Sequence, residues 1–235
     1  MKGFYDTLKR TGKVTAGNVY ISVFFCLVAS VIGGICTLLI YDDWEVWIGM
    51  PSAMLQAFMF LLVMVYGFAV FPIEFMQALS MGKTRKHLFA ASYLVWMMNV
   101  LVMLLLALGV AFLENFVYTD ILKQTASVSG VWMDFLNPLV FITILLCVPA
   151  LILFQGGLVL FFGTKLIFVF LGLFMISMGF FRYAERSPES AIVKGVDYLF
   201  GVEPNITAVC LLCLVLGAIL IPLSWLMLRK QRVIF

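Results

Sequence analysis

Long uncharged stretches alternate with short polar stretches along the whole chain. A helix needs about 20 apolar residues to cross the hydrocarbon core of a bilayer. The pattern predicts six such spans, at about residues 19–40, 53–79, 88–113, 136–157, 160–181 and 206–228. The polar stretches between them are too short to form domains of their own. We therefore expect one all-α transmembrane domain that comprises residues 1–235.

The boundary between the fourth and fifth spans is the least marked. The residues from Phe135 to Phe181 contain a single charged side chain, Lys165, and are numerous enough for two crossings. Several glycines between Gln155 and Lys165 favour a tight turn there. We place the turn within this window, and the two spans at about 136–157 and 160–181. The third span has Asn99 as its most polar member.

The composition agrees with a protein that is solvated by lipid. Hydrophobic residues make up 64% of the chain and charged residues 11%, whereas a soluble domain is about 45–50% apolar. Too few polar residues are present to cover the surface of a soluble fold. An ordinary soluble domain is therefore excluded.

The charges are divided between the two sides of the predicted bundle. Six spans place both termini on one side, and eleven of the fifteen basic residues fall on that side. Ten of the twelve acidic residues fall on the other side; the exceptions are Asp6 and Glu74. Loops rich in lysine and arginine stay in the cytoplasm. We therefore expect a multi-pass protein of the plasma membrane, with both termini in the cytoplasm.

Two segments outside the spans have helical patterns of their own. In residues 1–18, Phe4, Tyr5 and Leu8 lie at near-helical spacing among lysines, which suits a helix lying in the membrane surface. The alternative is a disordered basic tail that only sets the topology. Residues 182–205 form the predicted extracellular segment, which would cap the bundle or dip into the outer membrane surface.

The residues that most enzymes and metal sites require are scarce. The chain has one histidine, His87, and no motif for a nucleophile or for nucleotide hydrolysis. Its five cysteines all lie in apolar runs, where they are expected to pack rather than pair. Glu74 and Lys165 lie near the cytoplasmic boundary, so no ionisable side chain is placed at mid-membrane, as coupled transporters usually require. We expect no catalytic activity, no metal and no cofactor bound by this chain.

A basic segment, residues 82–88, separates the second and third spans within the sequence ALSMGKTRKHLF. The simplest interpretation is a topology anchor. However, the helix before it is expected to continue beyond the membrane until Gly82 ends it. A rigid helix end with a basic tip would suit docking into a partner protein.

The six spans, the amphipathic N-terminal helix and the Gly-x-Thr-Arg-Lys pattern of Gly82–Lys86 resemble the membrane subunits of ABC-2 type transporters. The resemblance implies that the segment after span two is a coupling helix, which docks on a separate ATPase carrying ATP and Mg. Its residues here would be Met81, Gly82, Lys83, Thr84, Arg85, Lys86 and His87. Glu74 could form a salt bridge with this segment or with a basic residue of the N-terminal helix; the alternative is a solvated acid.

Within that family, the chain is most similar to bacterial half-permeases that export antimicrobial or amphipathic peptides, the phenol-soluble modulin exporter among them. The resemblance implies an ABC-type ATPase subunit, a second permease copy in a homodimer or heterodimer, membrane lipid and a hydrophobic or peptide substrate as partners. It implies no nucleic acid. The alternatives are a permease for lipid, glycan or drug cargo, and a scaffold or immunity protein that transports nothing.

Overall fold

The computed structural model describes residues 2–40, 50–80, 84–117, 137–166 and 205–230. Nearly all of these residues are helical, with no strand among them. Five of the helices in these ranges are long and apolar enough to cross a membrane. The prediction of an all-α protein with several apolar helices is therefore confirmed. The helices are α1 (Lys2–Ile40), α2 (Met50–Val65), α3 (Phe71–Ser80), α4 (Arg85–Phe116), α5 (Pro138–Phe162) and α6 (Ile206–Lys230).

Helix α1 is unbroken over its 39 residues. We expected a separate interfacial helix over residues 1–18 and a span beginning at residue 19. The sequence around this boundary contains no proline, and the Thr15 hydroxyl donates to the carbonyl of Thr11 at 2.9 Å within the helix. At 1.5 Å per residue α1 is about 58 Å long, which exceeds the hydrocarbon core of about 30 Å.

The second of the long apolar segments contains a wide turn. Helices α2 and α3 are joined without interruption by a π-helical turn, Tyr66–Val70. A methyl group on Gly67 would overlap the side-chain amide oxygen of Gln155 on α5. One on Gly156 would overlap the ring of Phe71. Small residues thus allow the wide turn and α5 to approach closely, which is the usual way membrane helices pack.

The two ends of the bundle are defined by contacts between helix termini. At one end, which we call the basic end, the ring of Phe4 on α1 meets that of His87 on α4, with centroids 6.1 Å apart. There Arg85 also donates to the carbonyl of Arg229, near the end of α6. At the opposite end, Ser52 near the start of α2 bonds to Glu114 near the end of α4.

Helices α5 and α6 run in the same direction. Near their starts the Cys147 thiol donates to the carbonyl of Cys213 at 3.1 Å. Near their ends, a Cβ on Gly157 would lie 3.6 Å from the Cβ of Met227. The chain therefore leaves α5 at the basic end and enters α6 at the opposite end.

Helix α5 extends beyond its predicted end at residue 157. It ends at Phe162, where Gly163 has a φ of 55° and begins a 3₁₀ turn that includes Lys165. This turn lies inside the predicted window, but Gly156 and Gly157 do not form it, because they pack against Phe71 and Met227. Most of the predicted span 160–181 and of the segment 182–205 lies outside the described residues.

The buried core forms two clusters along the bundle. The larger one lies towards the basic end and joins α3, α4, α5 and α6. Its buried members are Phe71, Phe75, Leu79, Leu88, Trp96, Ile152, Leu153 and Leu228. The smaller one consists of Cys26, Leu55 and Ala107 on α1, α2 and α4. These clusters hold the helices that surround the candidate site.

Candidate functional site

The part of the basic segment that the structure describes forms the start of α4. Thr84 precedes the helix in an extended conformation, with φ −72° and ψ 131°, and Arg85, Lys86 and His87 form the first turn. The other predicted coupling residues, Met81, Gly82 and Lys83, lie outside the described residues. The contacts below thus concern only the second half of the segment.

Two side chains of the basic segment tie it to other helices. A terminal nitrogen (Nη1) of Arg85 donates to the main-chain carbonyl of Arg229 at 2.7 Å. This pairing is favourable because the last carbonyls of a helix have no partner within the helix and carry partial negative charge. The ring of His87 lies edge-on to that of Phe4, at an interplanar angle of 75°. The start of α4 is thereby fixed to α6 and to α1.

Further cations surround this joint and remain exposed. Lys86 is exposed beside the two tethered residues. The other exposed basic side chains among the described residues are Lys9, Arg10, Lys13, Lys165 and Arg229. They lie on α1, on the turn after α5 and on α6. The basic end therefore presents positive charge from several helices on a connected frame.

Glu74 connects α3 to α1 through neutral partners. The Asn18 side-chain amide donates to one oxygen of Glu74 at 2.8 Å, and the Thr15 hydroxyl lies 3.5 Å from the other. Among the described residues Glu74 forms no ion pair, so the predicted salt bridge is not found there. The reason is geometric: Thr15 and Asn18 occupy the face of α1 that meets α3, whereas the nearest basic residue on α1, Lys13, is exposed.

The Glu74 contact belongs to a larger group of hydrogen bonds, which we call the Asn18 clasp. It comprises Glu74 and Asn18 with two further donors. The Tyr66 hydroxyl, in the π-helical turn, donates to the Asn18 carbonyl at 2.9 Å. The Ser22 hydroxyl donates to the same carbonyl at 2.7 Å. The clasp thus attaches α1 to the wide turn and to α3.

A cavity of about 300 Å³ lies between α1, α2, α4 and α5. Its wall is almost entirely apolar. The lining residues are Val19, Ser22, Gln56, Met59, Phe60, Leu62, Val63, Tyr66, Trp96, Asn99, Val100, Met103, Leu104, Ile144, Val148, Leu151 and Ile152. None of them carries a charge. The sequence did not predict this cavity, although it showed the polar Asn99 within an apolar span.

A buried acid lies at the opposite end of the bundle. Glu114 is only 5% exposed and accepts a hydrogen bond from the hydroxyl of Ser52. The predicted third span ended at residue 113, but α4 continues to Phe116, and Glu114 belongs to its last turn. The contact fastens α2 to α4. Within the described ranges, no group of three or more histidine, cysteine or acidic residues is arranged to hold a metal ion.

Comparisons of the chain with protein-family models, with curated proteins and with solved structures find no match. The features that indicate a function are therefore the basic end, the Asn18 clasp and the cavity.

Proposed function

We propose that the chain is the membrane subunit of an ATP-driven exporter, and that a separate ATPase docks on the basic segment. The observation that carries the proposal is the double tethering of that segment, through Arg85 to α6 and through His87 to α1. A movement imposed on the start of α4 is passed to two other helices. A loop that served only as a topology anchor would need neither contact.

Six crossings and cytoplasmic termini are part of this proposal. The parallel course of α5 and α6 supports six crossings. The chain leaves α5 at the basic end and enters α6 at the opposite end, so residues 167–204 connect the two ends and would supply the additional crossing. The gathering of lysines and arginines at one end supports a cytoplasmic location for that end. A second permease copy completes the proposed transporter.

The proposed cargo is a hydrophobic or amphipathic peptide. The apolar cavity supports an apolar cargo, since no charged side chain lines it. A charged ligand in such a site would lose its hydration without gaining a partner. Lipid and drug cargo, two of the alternatives, would also be apolar. The cavity therefore supports an apolar cargo in general, and a peptide is the narrower choice within the proposal.

The Asn18 clasp supplies a route from the docking site to the cavity. The basic segment follows α3, and Glu74 on α3 bonds to Asn18 on α1. Val19 and Ser22, which come just after Asn18, line the cavity, as does Tyr66. When the ATPase moves the basic segment, the proposed response is a shift of α1 and of the wide turn, which form two walls of the cavity.

Purification of the tagged protein from its native membrane, followed by mass spectrometry, tests the proposal. We expect a soluble ATPase to accompany the parent protein and to be lost when Lys86 is changed to glutamate, because Lys86 is exposed and forms no hydrogen bond with the residues that the structure describes. Lys165→Glu is the matched control, an equal change of charge at the same end of the bundle, outside the basic segment. It should retain the ATPase. Absence of an ATPase from the parent sample would contradict the proposal and favour the scaffold or immunity function.

A further inference from the structure

A continuous row of exposed residues follows one face of α1. Residues three or four positions apart are neighbours on the surface of a helix. From the basic end inward, this spacing connects the exposed residues Lys9, Lys13, Gly17, Tyr20 and Phe24. The Asn18 clasp holds the other side of α1 to the bundle. The row, which we call the outer face of α1, is therefore turned towards the surroundings of the bundle.

The outer face is cationic towards the basic end. Lys9 and Lys13 are exposed there, with the exposed Arg10 beside them. None of these three cations forms a hydrogen bond or an ion pair with another residue that the structure describes. Asp6, one turn before Lys9, is the single acidic residue in the sequence of α1. The cations outnumber it, so this part of the face attracts anions.

Gly17 separates the cations from an apolar part of the outer face. A Cβ built on Gly17 would have nothing within 4 Å. The glycine thus leaves a recess, with Lys13 about 6 Å away along the helix on one side and Tyr20 about 4.5 Å away on the other. Beyond the recess the face is apolar, since Tyr20 is 77% exposed and Phe24 is 62% exposed.

The length of the outer face fits one leaflet of a bilayer. Phe24 follows Lys13 by 11 residues, which corresponds to about 16 Å along the helix. One leaflet contributes about 15 Å to a hydrocarbon core of about 30 Å. Side chains on a helix lean towards its N-terminus, which for α1 is the basic end. We therefore expect the Lys13 amine at the level of the lipid head groups when Phe24 lies at the depth of the chain ends.

Among the candidate partners, an anionic phospholipid fits both parts of the face. A soluble acidic protein would meet the cations but would not reach Tyr20 and Phe24, which lie in the apolar part of the helix. A free phosphate ion would also use only the cations. A lipid without net charge would cover the apolar part and leave the cations without a partner.

We propose that the outer face of α1 binds one anionic phospholipid. Its phosphate lies on the three cations, its glycerol lies in the recess at Gly17, and an acyl chain follows the two aromatic residues. This binding requires neither an ATPase nor a second copy of the chain. Its test is therefore independent of the proposed function.

The test is native mass spectrometry of the purified full chain in detergent, titrated with dioleoylphosphatidylglycerol or with dioleoylphosphatidylcholine. The two lipids share their chains, and only the first has a net negative charge. We expect one tightly bound phosphatidylglycerol per chain and at least tenfold weaker binding of phosphatidylcholine. Lys9→Gln and Lys13→Gln should each weaken phosphatidylglycerol binding about fivefold. Lys165→Gln is the matched control, because it removes an exposed cation from the same end of the bundle outside α1, and it should bind like the parent.

Gly17→Leu distinguishes a shaped site from a general attraction of charge. The charge of the protein stays the same, and the new side chain begins in open space, so the fold should tolerate it. Because the side chain fills the recess, binding of phosphatidylglycerol should weaken at least fivefold. Gly109→Leu on α4 is the matched control, since a Cβ there also has nothing within 4 Å, and it should bind like the parent. Circular dichroism should show both variants to be at least as stable as the parent.

Several outcomes would overturn the proposal. Equal binding of the two lipids would show that the cations take no part. Equal losses for Lys13→Gln and Lys165→Gln, or parent-like binding by Gly17→Leu, would show only a general attraction at the basic end. Glycerophosphoglycerol, the head group without chains, should not displace the lipid at equal concentration; displacement would indicate a phosphate site. If Lys9→Gln and Lys13→Gln keep the lipid but lose a co-purifying ATPase, the outer face docks a protein instead.

Discussion

Replacement of Gly67 by alanine would test the contact between the wide turn and α5. The new Cβ would overlap the amide oxygen of Gln155 and would lie 2.8 Å from its Cβ and from its Cδ. Gln155 has little room to move away. It is 5% exposed, and its amide nitrogen lies 3.3 Å from the sulfur of Met64.

Two opposing contributions determine the sign of the effect. Alanine is favoured over glycine in a helix by about 1 kcal/mol. Overpacking a close contact costs about 1–3 kcal/mol. Because the overlap involves the backbone-proximal Cβ of Gln155 as well as its flexible end, we expect the upper part of that range. Gly67→Ala should therefore lower the free energy of unfolding by about 1–2 kcal/mol.

The assay is reversible unfolding by SDS in mixed micelles, followed by circular dichroism. Gly109→Ala is the matched control: it lies in α4 with nothing within 4 Å of the added Cβ, so it should be neutral or stabilising. Gln155→Gly should relieve the whole overlap, because it removes the Cβ of residue 155 as well as its amide. The double variant with Gly67→Ala should therefore lose less stability than the sum of the two single effects, by about 1 kcal/mol or more. Additive effects, or a Gly67→Ala protein as stable as the control, would refute the packing argument.

Three further predictions concern the joints of the bundle. In the same unfolding assay, Glu74→Leu should cost about 1 kcal/mol through loss of its bond to Asn18, whereas Glu74→Gln should cost less because it keeps an acceptor. Arg85→Ala should lower the melting temperature in detergent by a few degrees, since the last carbonyls of α6 lose their partner, while Lys86→Ala should leave it unchanged. Gly163→Ala should cost about 1–2 kcal/mol, because φ is positive there. Equal stability of Glu74→Leu and Glu74→Gln would contradict the bond to Asn18, and equal melting of Arg85→Ala and Lys86→Ala would contradict the bond to α6. Unchanged stability of Gly163→Ala would contradict the positive φ at that residue.

The long elements were predictable because hydropathy alone sets them. The span predicted at 88–113 lies within Arg85–Phe116, and the one at 206–228 within Ile206–Lys230. The role of Gly156 was not predictable in the same way. A glycine favours a turn and also permits close packing, and only the position of Phe71 decides between the two.

The site was predictable only in part. The basic segment was recognisable from its charge, but the tether from Arg85 ends on a main-chain carbonyl, which no side-chain pattern reveals. The partners of Glu74 are neutral residues 56 and 59 positions away in sequence. The cavity is formed by four helices, and its existence depends on how they pack. The sequence showed only that Asn99 is an unusual residue for its span.

The unbroken course of α1 has a mechanical consequence. Phe4 lies about 21 Å from Asn18 along the helix, and Ile40 lies about 33 Å beyond Asn18 on the other side. A stiff rod held at Asn18 is a lever with unequal arms. A sideways displacement at Phe4, where α1 touches His87, would move the far end of α1 in the opposite direction by about one and a half times as much. The helix would thus reverse and amplify a small motion at the basic end without any joint of its own.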